Sequence, residues 1–204
     1  MAVDVKIVLA GVGGQGAVLA GGILASSAIK EGLSVRTYGD MGMARRGGSV
    51  GSFVNIFDAK GTSATAEGTA DLLIGMEPIE AVRYCRYLKK DGTAIVNSYL
   101  ILPSTVGKKD RKALSDVENT LNFIRKNFKN TIVFDANKVA CEIDSLTTNV
   151  VMLGAAFSTR KIPVSTETFK HTIRDSFAPK IVKMNIKAFE RGYDECNRRS
   201  RGGN

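Results

Sequence analysis

The chain has 204 residues, of which 44% are hydrophobic and 24% are charged, a composition typical of a globular protein with one domain. Its formal net charge of +9 suits an anionic ligand, a nucleic acid or an acidic partner protein. Nucleic acid is disfavoured because no nucleic-acid-binding fingerprint occurs and only 7% of the residues are aromatic, with no Trp. We therefore expect one domain over residues 1–198, followed by a mobile basic tail over residues 199–204.

An uncharged run from Ile7 to Ile29 is long enough to span a bilayer, but glycines interrupt it. A buried strand over Val5–Ala10, a glycine turn and a helix from Gly16 to about Lys30 explain the run better. We therefore expect a cytoplasmic protein without a membrane segment.

The rest of the chain alternates between strand and helix patterns. Further strands are predicted over residues 33–38, 50–57, 72–76, 93–97 and 131–135. Helices are predicted from Pro78 to about Asp91 and over residues 115–128, 137–143, 148–160, 166–177 and 180–198. The turn Asp58–Gly61 predicts an antiparallel return through Thr62–Thr65. The expected fold is therefore a three-layer α/β/α domain with a mixed, mostly parallel sheet.

The last predicted helix carries an apolar stripe. It consists of Val182, Ile186, Phe189, Tyr193 and Cys196, which recur at steps of four and three residues. Packing against the core is the simpler interpretation, and docking of a partner helix is the alternative.

Metal-binding and nucleophilic side chains are sparse. Cys85, Cys141 and Cys196 are widely spaced, form no CxxC motif and have only His171 to assist them, so this chain alone is not expected to form a zinc or iron–sulfur site. We interpret the cysteines as buried apolar residues and His171 as a surface residue.

Gly11, Gly13 and Gly16 match the pattern G-x-G-x-x-G between a strand and a helix, where backbone N–H groups bind anions. An NAD(P) site is one interpretation, with Asp40 for the ribose or Arg45 and Arg46 for a 2′-phosphate. A tight turn with close helix packing is the structural alternative.

A second glycine-rich loop surrounds the double arginine Arg45-Arg46 between Gly39 and Val50. Guanidinium groups on such a backbone suit a phosphate, a carboxylate or an acidic neighbouring subunit. A solvated basic loop is the alternative.

Five segments, in their order and spacing, resemble the small subunit of indolepyruvate ferredoxin oxidoreductases. They are Gly-Val-Gly-Gly-Gln-Gly at 11–16, Met-Ala-Arg-Arg-Gly-Gly-Ser-Val at 43–50, Glu-Pro-Ile-Glu-Ala at 77–81, Asn-Val-Val-Met-Leu-Gly at 149–154 and Asn-Ile-Lys-Ala-Phe at 185–189. Arg45 stands where the family has glutamine, and Asn55 where an arginine is usual after the following strand. The 2-oxoacid therefore stays open between the indolepyruvate, pyruvate and branched-chain types.

The resemblance implies a fold like domain III of pyruvate:ferredoxin oxidoreductase. It also implies a role in thiamine-diphosphate-dependent decarboxylation of a 2-oxoacid to an acyl-coenzyme A, with reduction of ferredoxin. Thiamine diphosphate, Mg²⁺ and the iron–sulfur clusters are expected on a larger partner subunit, because Gly39-Asp40-Met41 lacks the downstream Asn-Asn of a thiamine motif. Ferredoxin is then reached through the complex, coenzyme A is the co-substrate, and a homodimer of the isolated chain stays open.

No catalytic residue is predicted on this chain. The residues predicted to bind a cofactor or the partner subunit are Gly11, Gly13, Gly14, Gln15, Gly16, Arg45, Arg46, Gly47 and Gly48. Glu77 and Glu80 are interpreted as favourable charges at a helix N-terminus rather than as an acid–base pair. An NAD(P)-binding oxidoreductase and a non-enzymatic binding or regulatory module are the alternative functions.

Overall fold

The computed structural model describes residues 2–41, 47–58, 64–101 and 117–201. Within these residues, six strands form one sheet in the order β2-β3-β1-β4-β5-β6. The strands are β1 (Asp4–Val12), β2 (Ser34–Met41), β3 (Ser49–Phe57), β4 (Ala70–Gly75), β5 (Leu88–Asn97) and β6 (Asn130–Phe134).

The sheet is mixed, as the sequence predicted, but for a different reason. Strands β1, β4, β5 and β6 are parallel neighbours, whereas β3 is antiparallel to both β1 and β2. The predicted return strand Thr62–Thr65 is wrong at Thr65, which lies outside any strand. The rest of the predicted turn and return, residues 59–63, lies outside the described residues. The antiparallel strand is β3 itself, paired with β2 as a hairpin.

Helices cover both faces of the sheet. They are α1 (Ala17–Lys30), α2 (Pro78–Tyr84), α3 (Val117–Asn127), α4 (Ala136–Cys141), α5 (Thr148–Ser158), α6 (Thr166–Ser176) and α7 (Pro179–Arg201). One core contains α2 and α3, and the other contains the remaining helices. The predicted three-layer α/β/α fold is therefore confirmed.

Strand β1 explains why the sheet lies between two cores. Ile7 and Leu9 point into the core that contains α1, and Val8 and Ala10 point into the core that contains α2. All four are fully buried. A strand with both faces covered needs the continuous apolar run that the sequence shows.

Three sequence predictions are corrected. The helix that begins at Pro78 ends at Tyr84, because buried Leu88 already starts β5 where a helix to Asp91 was predicted. Helix α7 continues to Arg201, three residues beyond the predicted helix end, and residues 202–204 of the predicted mobile tail lie outside the described residues. Cys141 is exposed, whereas the other two cysteines are buried as predicted.

The apolar stripe of α7 packs against the core, which confirms the simpler interpretation. Phe189 and Cys196 are buried, and α7 crosses α5 at two glycines. A Cβ atom on Gly154 would lie 2.0 Å from the carbonyl oxygen of Phe189, and one on Gly192 would lie 2.0 Å from that of Val151. The two backbones therefore approach more closely than any side chain allows. In the described part of the chain, no helix combines the length and apolar character needed to cross a membrane.

We predict that Gly192→Ala lowers the free energy of unfolding by at least about 2 kcal/mol, because the added methyl group forces α5 and α7 apart. Urea unfolding of the purified chain measures this. Gly22→Ala is the matched control: Gly22 lies inside α1, and apart from the neighbouring backbone of that helix no described atom lies within 4 Å of an added Cβ. There we expect a gain of roughly 0.5–1 kcal/mol from helix propensity. Equal stability of the two variants would contradict the close crossing.

Candidate functional site

The candidate site lies where the parallel strands end. The carboxyl ends of β1, β4, β5 and β6 meet at one edge of the sheet. Helix α1 leaves β1 on one face and α2 leaves β4 on the other. The crevice between β1 and β4 is therefore the topological switch point, the usual ligand position in open α/β sheets.

The glycine loop turns the chain from β1 into α1. The N–H of Gln15 donates to the Val12 carbonyl oxygen at 3.1 Å and closes the turn. Gly16 is the N-cap of α1 with a φ of 78°, and a Cβ there would lie 2.6 Å from Nδ2 of Asn149. Only glycine fits this position. Because Gly16 offers no capping side chain, the first N–H groups of α1 face the site and suit an anion.

The Gln15 side chain crosses the switch point. Its Oε1 accepts from the Val12 N–H at 2.8 Å, and its Nε2 donates to the Met76 carbonyl oxygen at 2.9 Å. Gln15 was predicted to contact a ligand or partner. Its amide joins the end of β1 to the end of β4, so it holds the crevice in shape, and its contact with a ligand or partner stays a prediction.

Asn97 completes this connection, and sequence reasoning missed it. Its Nδ2 donates to the same Met76 carbonyl oxygen at 3.0 Å, and its Oδ1 accepts from the Ala136 N–H at 2.9 Å. Asn97 is fully buried at the end of β5. A polar residue that ends an apolar strand was the available signal. Asn149, which packs against Gly16, likewise lay in a quoted motif without an assigned role.

The second loop is anchored directly beside the glycine loop. The Gly13 N–H donates to the Gly48 carbonyl oxygen at 2.8 Å, and the Gly47 N–H donates to the Gly13 carbonyl oxygen at 3.2 Å. These bonds extend the β1–β3 ladder beyond the pair Val12–Ser49. The structure therefore brings Gly11–Gly16 together with Gly47 and Gly48. Arg45 and Arg46 lie outside the described residues.

Two carboxyl groups lie at the start of α2. Glu77 is the N-cap of α2, and its carboxyl accepts from the Glu80 N–H at 2.9 Å, the usual contact of an N-cap side chain. Glu80 accepts from the Ser49 hydroxyl at 2.5 Å, which ties α2 to β3. The Glu77 side chain is enclosed, and this burial raises its pKa above the ordinary value.

The strand order disfavours the NAD(P) interpretation. In a dinucleotide fold, the acidic residue ends the strand that lies next to the glycine-loop strand. Here β3 lies between β1 and β2, and Asp40 pairs with Gly51 of β3. The strand that carries Asp40 is thus two positions from β1, roughly 10 Å away across the sheet.

Asn55 lies inside β3 rather than after it. It is fully buried, and its Oδ1 accepts from the Thr65 hydroxyl at 2.7 Å. His171 is exposed beside Asp175, as predicted for a surface residue. Within the described ranges, no three His, Cys, Asp or Glu side chains lie close enough together to hold a metal ion.

Residues 6–195 match the family described as pyruvate ferredoxin/flavodoxin oxidoreductase. The chain belongs to this family. It is 38% identical over 192 residues to the indolepyruvate oxidoreductase subunit IorB of Archaeoglobus fulgidus, covering 94% of both chains. It is 30% identical over 188 residues to the common subunit gamma of the pyruvate/ketoisovalerate oxidoreductases of Pyrococcus furiosus, covering 91% of this chain and 93% of the relative.

A solved structure of the family has the same fold. The crystal structure of pyruvate oxidoreductase subunit PORC from Thermotoga maritima superposes with a TM-score of 0.66 at 25% identity, covering 94% of this chain and 96% of that one. The resemblance seen in the sequence is thus confirmed.

We predict that Glu77→Gln changes how stability depends on pH. The raised pKa means that the folded chain holds a proton which the unfolded chain releases, so this carboxyl lowers stability as the pH rises from the unfolded pKa to the folded one. As the pH rises above about 4.3, the ordinary pKa of a glutamate, the free energy of unfolding of the wild type should therefore fall relative to that of the variant.

Chemical unfolding at a series of pH values measures this difference. Asp135→Asn is the control, since Asp135 is also an N-cap carboxylate and accepts from the Lys138 N–H at 2.8 Å. A constant difference between wild type and Glu77→Gln across the range would contradict the prediction.

Proposed function

We propose that this chain is the small subunit of an indolepyruvate-type 2-oxoacid:ferredoxin oxidoreductase and completes the active site of a larger subunit. Relatives named as indolepyruvate oxidoreductase subunits share 30–38% identity with it, against 29–30% for those named as the subunit shared by pyruvate and ketoisovalerate enzymes. Three of the indolepyruvate subunits reach 37–38%, which favours the indolepyruvate type.

The anchoring of the two loops to each other carries the proposal. Two backbone hydrogen bonds join Gly13 to Gly47 and Gly48, so the end of the second loop lies beside the glycine loop at the start of α1. In this proposal the Arg45-Arg46 pair, which precedes Gly47 in the sequence, contacts the same bound group as the first N–H groups of α1. Both favour negative charge, such as a coenzyme A phosphate or a carboxylate of the partner.

The resident cofactors belong to the partner in this proposal. Thiamine diphosphate supplies the electron sink for decarboxylation, and iron–sulfur clusters carry the electrons to ferredoxin. The cysteines on the described part of this chain do not suit a cluster, since Cys85 and Cys196 are buried in different cores and Cys141 is exposed. This chain's own contribution is to bind an anion, orient it and close the site against water.

Reconstitution tests the function. The chain and its large subunit are purified separately and mixed, and ferredoxin reduction is followed with indolepyruvate and coenzyme A. We expect turnover only from the mixture, with a preference for indolepyruvate over pyruvate of at least roughly tenfold. Full turnover by the large subunit alone would contradict the proposal. Micromolar binding of NAD(P) by the isolated small chain would favour the dinucleotide alternative instead.

We further predict that Arg46→Ala weakens the complex or raises the coenzyme A requirement by about 1.5–3 kcal/mol, because a charge-assisted contact is lost. The melting temperature of the isolated chain should not change. Arg174→Ala, in the exposed part of α6, is the matched control and should alter neither property. An Arg46→Ala chain that unfolds but leaves turnover per folded complex unchanged would show that Arg46 is structural.

A further inference from the structure

A second candidate site lies along β6, three strands away from the glycine loop. A groove of about 1230 Å³ follows this strand and is bordered by the ends of α3, α5 and α7. No strand of the described part of the chain pairs with the outer side of β6, which forms one edge of the sheet. The groove is therefore separate from the crevice between β1 and β4.

Cationic side chains border the groove from both faces of the sheet. Its lining contains five cationic side chains and no carboxylate: Arg125, Lys129, Lys161, Arg198 and Arg199. The first two come from the α3 side and the other three from the side of α5 and α7. Arg125 pairs with Glu118, and Arg198 and Arg199 share Glu195. Five cations against two carboxylates leave a surplus of positive charge around an open strand.

The backbone of β6 offers hydrogen bonds to this groove. The Phe134 carbonyl oxygen accepts from the Ser98 N–H at 2.9 Å, so Phe134 faces towards β5. Successive backbone groups point to alternate edges of a strand, so Val133 and Thr131 face outward. The guanidinium of Arg199 reaches the Val133 carbonyl oxygen at 3.2 Å from the outer side. The outward groups of Thr131 and the Val133 N–H lie along the same groove.

We propose that this groove binds an extended acidic segment of another protein, which adds to β6 as a further strand. Backbone pairing with the outward groups of β6 supplies the alignment, as in other strand-addition complexes. Successive side chains of an added strand point to opposite faces of the sheet, and the groove has cationic side chains on both of these faces. A segment with carboxylates at successive positions is therefore the occupant that matches the groove.

Charge excludes the occupants that the chain itself provides. A second copy would bring the same five cations against the first, which opposes pairing of two β6 edges. The segment 102–116 contains four Lys or Arg and two Asp residues, so it is basic as well. Residues 202–204 are Gly-Gly-Asn and carry no charged side chain. The charge balance points to a different, acidic chain.

Fluorescence anisotropy of a labelled octaglutamate peptide with the full chain tests this proposal. At about 0.15 M ionic strength, where distant charges are screened, we expect saturable binding. Lys129→Glu combined with Lys161→Glu should weaken it by at least about tenfold. Lys183→Glu combined with Lys187→Glu changes the net charge equally on the exposed face of α7, and should weaken it by less than about twofold.

Two further probes separate strand addition from attraction to any polyanion. A fully N-methylated octaglutamate keeps every carboxylate but has no backbone N–H, and we expect it to bind at least about tenfold more weakly. The oligonucleotide dT8 should also bind more weakly than octaglutamate. Equal binding of either probe would overturn the proposal, as would equal losses from the two double variants. An absence of octaglutamate binding would mean that the cations only protect the strand edge from aggregation.

Discussion

The carboxyl edge of the sheet depends on one shared acceptor, the carbonyl oxygen of Met76. Gln15 donates to it from the glycine loop, and Asn97 donates to it from the end of β5. A buried polar group left without a partner costs about 1–3 kcal/mol, so the ends of β1, β4 and β5 hold one another in place. Through Asn97 the same connection reaches Ala136 and the start of α4. The glycine loop therefore rests on a rigid base rather than on its own flexible backbone.

Most of the fold could be predicted because its signals are local. Apolar runs gave the strands, and helical periodicity gave α5 to α7 to within a few residues. Predictions failed where tertiary contacts decide the structure. Leu88 extends β5 because it is buried in the core that contains α2 and α3, although Lys89 to Asp91 read as the end of a helix. The pairing of β3 with β1 joins residues 37 to 53 positions apart, and no local pattern encodes that choice.

The site was only partly predictable. The glycine pattern located the loop, but its proximity to Gly47 and Gly48 came from family resemblance, since the ladder that joins them is long-range. The residue type of Gln15 did not predict that its amide joins β1 to β4, because a side chain that holds two strands and one that binds a ligand look alike in sequence. The role of Asn97 was missed for the same reason, because its residue type does not show that it joins two strands. The insertion of β3 beside β1 separates this fold from the dinucleotide enzymes, and a G-x-G-x-x-G motif contains no information about it.

The β1–β3 ladder has a consequence for how such subunits diversify. Nine residue pairs fix β3 on β1, and two more bonds fix Gly47 and Gly48 on Gly13. A shift of one residue in this pairing would turn every buried side chain of β3 to the wrong face, so the register of β3 on β1 is fixed. Substitutions in β3 and at Gly47 and Gly48 are therefore limited to those that keep this register, because any other change would rebuild the core on both faces of the sheet.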